Sequence, residues 1–130
     1  VTGYYVLDAL GGVHALGGAP WMGNLDFGYE LARDVEVMPT QSGYAVLDGY
    51  GGVQFFPSEL QDSPMVQSWL TGAPYFGWDI ARDLEFSPGR GMAANGYWVL
   101  DGYGNIWSAG SASDLDNLAI DEADVYRDME

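Results

Sequence analysis

The sequence predicts an all-β chain of three four-stranded, antiparallel, blade-like repeats, a β-propeller or a fragment of one, open to completion by neighbouring chains. Three observations carry this expectation. A glycine–tyrosine hairpin box recurs three times, a second strand box lies between its copies, and the strands are apolar on both faces.

The hairpin box is Gly3-Tyr4-Tyr5-Val6-Leu7-Asp8, then Gly43-Tyr44-Ala45-Val46-Leu47-Asp48, then Gly96-Tyr97-Trp98-Val99-Leu100-Asp101. Each copy runs through a glycine-rich turn into a second apolar segment that starts at Val13, Val53 or Ile106. Two short apolar runs around such a turn read as a hairpin, with Gly51 and Gly52 free to take positive φ. The second box is Ala32-Arg33-Asp34-Val35-Glu36-Val37, matched by Ala81-Arg82-Asp83-Leu84-Glu85-Phe86 and, in shortened form, by Tyr126-Arg127-Asp128-Met129-Glu130. Pro39 and Pro88 close the two longer copies. Pro20-Trp21-Met22-Gly23 and Pro74-Tyr75-Phe76-Gly77-Trp78 suggest a short fourth strand upstream of each second box. The second period is the longer one and carries extra residues around 58–71 and 89–95. The whole chain reads as one repeat domain, 1–130, with repeats near 3–42, 43–95 and 96–130.

In the middle copy Tyr44 and Val46 point one way, Ala45 and Leu47 the other. A strand apolar on both sides needs cover on both sides, which sheets stacked face to face supply. A parallel β-solenoid is the alternative, but its rungs are usually shorter and lack such hairpin turns.

The repeat, a glycine–tyrosine strand leading into an aspartate–glycine turn, resembles the β-propeller-like repeats of bacterial secreted and surface proteins. The resemblance implies a propeller fold and an extracellular or cell-surface location. It implies no activity, because propellers host many unrelated tasks.

Composition narrows the partners. The chain has 19 acidic residues, four arginines, no lysine and a net charge of −15. Such a surface repels nucleic-acid phosphate and anionic membrane. There is no cysteine, so disulfides and thiolate chemistry are excluded. No apolar run is long enough to span a membrane as a helix. Val1 is not a start methionine and no signal peptide precedes the repeats, so the chain looks processed or cut from something longer.

Arg33, Arg82 and Arg127 recur in step with Asp8, Asp48 and Asp101, which suggests one arginine–carboxylate ion pair per repeat, structural rather than an anion site. Tyr4, Tyr44 and Tyr97 recur and are expected in the core. Trp21, Trp69 and Trp107 do not match across copies and are the candidates for stacking on sugar rings. His14, the only histidine, stands where the other copies have Gln54 and Trp107, which argues against a catalytic or metal role. No catalytic triad, zinc-protease or P-loop pattern occurs, and no two carboxylates stand out as a glycosidase pair. Asp114, Asp116 and Asp121 belong to an acidic cluster that reads as a solvated loop, with calcium as the alternative; EF-hand spacing is absent and no cofactor is expected.

The expectation is a non-catalytic structural module. It opens on the last two strands of a blade and closes on the first strands of another, so copies would join head to tail into a ring or extracellular filament. A glycan-binding propeller lectin is the alternative.

Overall fold

The structure, a computed structural model, describes residues 3–39, 42–88 and 94–113. It is all-β with three small antiparallel sheets and little helix. Strands β1 (Tyr4–Leu7) and β2 (Val13–Leu16) form the first sheet. Strands β3 (Ala32–Val37), β4 (Tyr44–Asp48) and β5 (Val53–Phe56) form the second, in that order. Strands β6 (Ala81–Pro88), β7 (Ala94–Asp101) and β8 (Ile106–Gly110) form the third. Each three-stranded sheet takes its first strand from the end of one sequence repeat and its hairpin from the next.

Recurring glycines answer to recurring geometry. Gly11, Gly51 and Gly104 have φ of 103°, 99° and 89°, the left-handed turn conformation that side chains resist. Gly52, expected to share that conformation, serves differently: a Cβ there would lie 2.5 Å from the Asp48 carboxylate. At the strand starts, a Cβ on Gly43 or Gly96 would fall 2.1 Å from the carbonyl of Phe56 or Ala109 on the paired strand. Only glycine lets the two backbones approach that closely.

The middle sheet is covered on both faces, as its pattern predicts. Tyr44 and Val46 pack with Val13 and Phe56 against the first sheet. Ala45, Leu47 and Phe55 pack with Leu84, Tyr97 and Val99 of the third. Backbone bonds stitch consecutive sheets in a repeating way. The Ala9 carbonyl accepts from the Leu31 and Ala32 amides, and the Gly49 carbonyl accepts from Ile80 and Ala81. The insertion after β5 carries a single-turn 3-10 segment (Ser58–Asp62) and helix α1 (Pro64–Trp69). The Ser63 side chain caps α1 by accepting from the Val66 amide at 3.2 Å, and the helix buries Val66 and Trp69 against the core.

Several expectations need correction. The sheets have two, three and three strands among the described residues, not four each. The segments at 20–23 and 74–78 are not strands, because Gly23 and Gly77 take positive φ and their neighbours bond across to the adjoining sheet. The Met22 amide meets the Tyr44 hydroxyl, and the Phe76 amide meets the Tyr50 carbonyl. Tyr4 is 62% exposed, because it lies on the face of the first sheet that turns away from the second. Trp69 is 3% exposed and packs on Phe55 and Phe86 with centroids 5.9 and 5.7 Å away. Its helix folds back onto the core, so it offers nothing to a sugar.

Candidate functional site

Among the described residues the first sheet has two strands where the other two have three. In the second sheet β3 pairs with β4, with Asp34 opposite Leu47, Val35 opposite Val46 and Glu36 opposite Ala45. In the third, β6 pairs with β7 with Asp83 opposite Leu100, Leu84 opposite Val99 and Glu85 opposite Trp98. Strand β1 is the counterpart of β4 and β7, yet among the described residues it pairs only with β2. Beside it lies a groove of about 550 Å³ lined by Gly3, by Tyr4 and Tyr5 of β1, by Ala19, Pro20 and Met22, and by Val35, Glu36 and Val37 of β3. A strand in that groove would stack over β3 as β3 stacks against β6.

The recurring arginines sit on bulges. The register slips between Ala32 and Asp34 and again between Ala81 and Asp83, so Arg33 and Arg82 leave the simple alternation of their strands. Each head donates to the carbonyl one residue earlier, Ala32 at 3.0 Å or Ala81 at 2.9 Å. Each also reaches the carbonyl three residues earlier, Glu30 or Asp79, at 3.2 Å.

The carboxylate they share is Asp79. Arg33 reaches it from the second sheet through Nε, at 3.2 Å to Oδ1, and through Nη2 to Oδ2. Arg82 adds Nη1 to Oδ1 at 2.9 Å. Burial pushes the Asp79 carboxyl up, but the hydrogen bonds and charges of the two arginines outweigh it and hold it below the usual range. The expected pairing of Arg33 and Arg82 with Asp8, Asp48 and Asp101 is therefore corrected. An ion pair does link the sheets, but through an acid that does not recur as aspartate: its counterpart ahead of β3 is Glu30. Arg127 lies outside the described residues.

Asp8, Asp48 and Asp101 brace their own turns. Oδ1 accepts from the amides two and four residues on: Leu10 and Gly12 at 3.0 and 2.8 Å, Tyr50 and Gly52 at 2.8 and 2.9 Å, Tyr103 and Asn105 at 2.8 and 3.0 Å. An aspartate directly before a glycine turn is the sequence signal for this Asx geometry. The second oxygen varies in use. In Asp8 it meets His14 Nε2 at 2.9 Å, and in Asp101 it accepts from Trp107 Nε1 at 2.9 Å and Asn105 Nδ2 at 3.1 Å.

One contact was not foreseen. Asp34 Oδ2 accepts from the Leu84 amide at 2.9 Å, and the Asp34 carboxyl hydrogen-bonds the side chain of Asp83, which is 6% exposed. Burial pushes Asp34 above its ordinary value of 3.8 despite these bonds, with the charge of Glu85 adding to the rise. The recurring Asp of the second box carried the signal.

Aromatics gather at the turn end of the stack. Tyr29, Tyr75 and Trp78 are 53%, 68% and 51% exposed. Tyr29 lies near Tyr50 and Tyr75, and the Trp78 ring sits 6.0 Å from Tyr103. Of the tryptophans singled out from sequence, Trp21 is 59% exposed with its indole N–H on the Val13 carbonyl. Trp107 is 43% exposed, with its indole N–H on Asp101 and its edge on Phe76. Among the described residues no group of histidines and carboxylates is arranged to hold a metal ion; Asp114, Asp116 and Asp121 lie outside them. No described helix is long and apolar enough to cross a membrane. No family model, curated protein or solved structure matches the chain.

Proposed function

We propose that the chain is a non-catalytic structural repeat module, acting outside the cell, that self-assembles head to tail by taking a strand into the groove beside β1. The observation that carries this reading is the first sheet itself: among the described residues a β4-like strand has no β3-like neighbour, and a groove flanks the edge that neighbour would take. An unpaired strand edge beside apolar surface recruits another strand. The exposed outer face of Tyr4, Val6 and Leu16 gives a further sheet a surface to stack on. The incoming strand would complete the first blade, and the propeller-like stack would grow by whole modules. Light scattering over a hundredfold range of protein concentration tests this. Mass rising with concentration supports assembly, and a constant monomer mass refutes it.

A second reading rests on the row of Tyr29, Tyr50, Tyr75, Trp78 and Tyr103. Tyr29, Tyr75 and Trp78 are exposed and Tyr50 and Tyr103 half-buried, and such rings suit the apolar face of a sugar. A glycan array would show binding that Trp78→Ala removes, and silence across the array would reject it.

A further inference from the structure

We infer that Glu30 receives an arginine from the strand that fills the β1 groove, and that this arginine is Arg127 of a second copy of the chain. The inference rests on the assembly reading above and names the partner of the same groove.

The one complete inter-sheet junction supplies the rule. Asp79 stands three residues before Arg82 and is held by that arginine and by Arg33 of the preceding sheet. Glu30 stands three residues before Arg33 in the same relation. Arg33 already touches the Glu30 carbonyl as Arg82 touches that of Asp79. The Glu30 side chain is exposed, and among the described residues no arginine reaches its carboxylate. The position from which a preceding-sheet arginine would reach it lies on the edge of β1 that no described strand pairs.

The sequence holds one more second box, Tyr126-Arg127-Asp128-Met129-Glu130. Transferring the registers of β3 on β4 and β6 on β7 sets Asp128 opposite Leu7, Met129 opposite Val6 and Glu130 opposite Tyr5. Arg127 then occupies the bulge position of Arg33 and Arg82. In a chain of net charge −15 with four basic residues, a carboxylate arranged for an arginine selects strongly among incoming strands. The same rule bars a strand with an acid at the bulge, which would set like charges against Glu30.

The test is a charge exchange read by light scattering and sedimentation, with circular dichroism to confirm folding. Glu30→Arg and Arg127→Glu should each weaken assembly of the 130-residue chain roughly tenfold. Mixing the two variants should restore it, because the carboxylate placed by Arg127→Glu in one copy would meet the guanidinium placed by Glu30→Arg in the other, with Arg33 beside it. If Glu30→Arg misfolds, Glu30→Gln gives a milder loss in the same direction. Wild-type assembly that neither substitution disturbs overturns this inference and leaves the assembly reading standing. A wild type that never assembles overturns both. A monomer whose Tm falls with Glu30→Arg and recovers when Arg127→Glu is added in the same chain would place Arg127 of its own chain in the groove and overturn the second-copy assignment.

Discussion

Tyr44 and Tyr97 occupy the same position in successive repeats, are both 0% exposed, and should respond oppositely to loss of the hydroxyl. The Tyr44 hydroxyl donates to the Gly23 carbonyl and accepts from the Met22 amide at 2.9 Å, tying the first connecting loop to the second sheet. Its ring packs on Tyr5 and Phe56 with centroids 4.8 and 5.8 Å away, contacts that phenylalanine would keep. Tyr44→Phe leaves two backbone groups without their partner, at about 0.5–1.5 kcal/mol per bond, so it should cost ~1–3 kcal/mol. The Tyr97 hydroxyl is buried with no hydrogen-bond partner among the described residues, and burial pushes its pKa up. Burying a hydroxyl unpaired costs about 1–3 kcal/mol on mutational scales, so Tyr97→Phe should be neutral or stabilising by up to that amount. The two variants should therefore separate by roughly 1–6 kcal/mol, some 3–24 °C in Tm for a chain of this size. Urea and thermal unfolding followed by tryptophan fluorescence measure both. Equal values within error, or a larger loss for Tyr97→Phe, would refute the reasoning.

Three further outcomes are expected. Arg82→Ala should cost about 1–2 kcal/mol by urea unfolding, below the ~3–5 of an orphaned buried charge, because Asp79 is 42% exposed and keeps Arg33. Asp34→Asn should flatten the pH dependence of stability, measured as Tm, on the side above the ordinary carboxyl value of 3.8. The folded Asp34 value is raised, so its contribution is full below the ordinary 3.8 and is lost as pH rises through the folded value; asparagine keeps an acceptor for the Leu84 amide without that loss. Asp79, held low, works in the opposite sense and loses its contribution as pH falls below 3.8. Trp69→Ala should cost ~3–5 kcal/mol as a core truncation, whereas exposed Trp21→Ala should stay within about 0.5 kcal/mol, both read from urea midpoints.

The hairpins and the two-faced middle strand were legible because glycine turns and burial on both sides leave direct marks on residue choice. The arginine partner was not. Three arginines against three aspartates suggested a one-to-one match, while the true acceptor, Asp79, is glutamate in the preceding copy and so fell outside the repeat. Position 4 shows a different limit. The box carries tyrosine whether or not a sheet covers it, so Tyr4 and Tyr44 read alike, although one is 62% exposed and the other buried. Trp69 was misplaced because a six-residue helix inside an insertion leaves little periodicity to read. The half blade at β1 was expected from the order of the boxes, while the groove beside it came only from three-dimensional packing.

The turn aspartate divides two duties between its two oxygens, and that division shapes how a repeat array can drift. Oδ1 is committed to two amides in every copy, so replacing the aspartate undoes a turn. Oδ2 meets the second residue of the next strand in two copies, His14 and Trp107, while in the middle copy Gln54 turns to the Phe55 carbonyl instead. Duplicated units can thus diverge at positions 14, 54 and 107 without loosening the hairpin that carries them. Those positions form a row of one per sheet, a place where copies of one ancestral unit acquire separate identities while the frame beneath them stays the same.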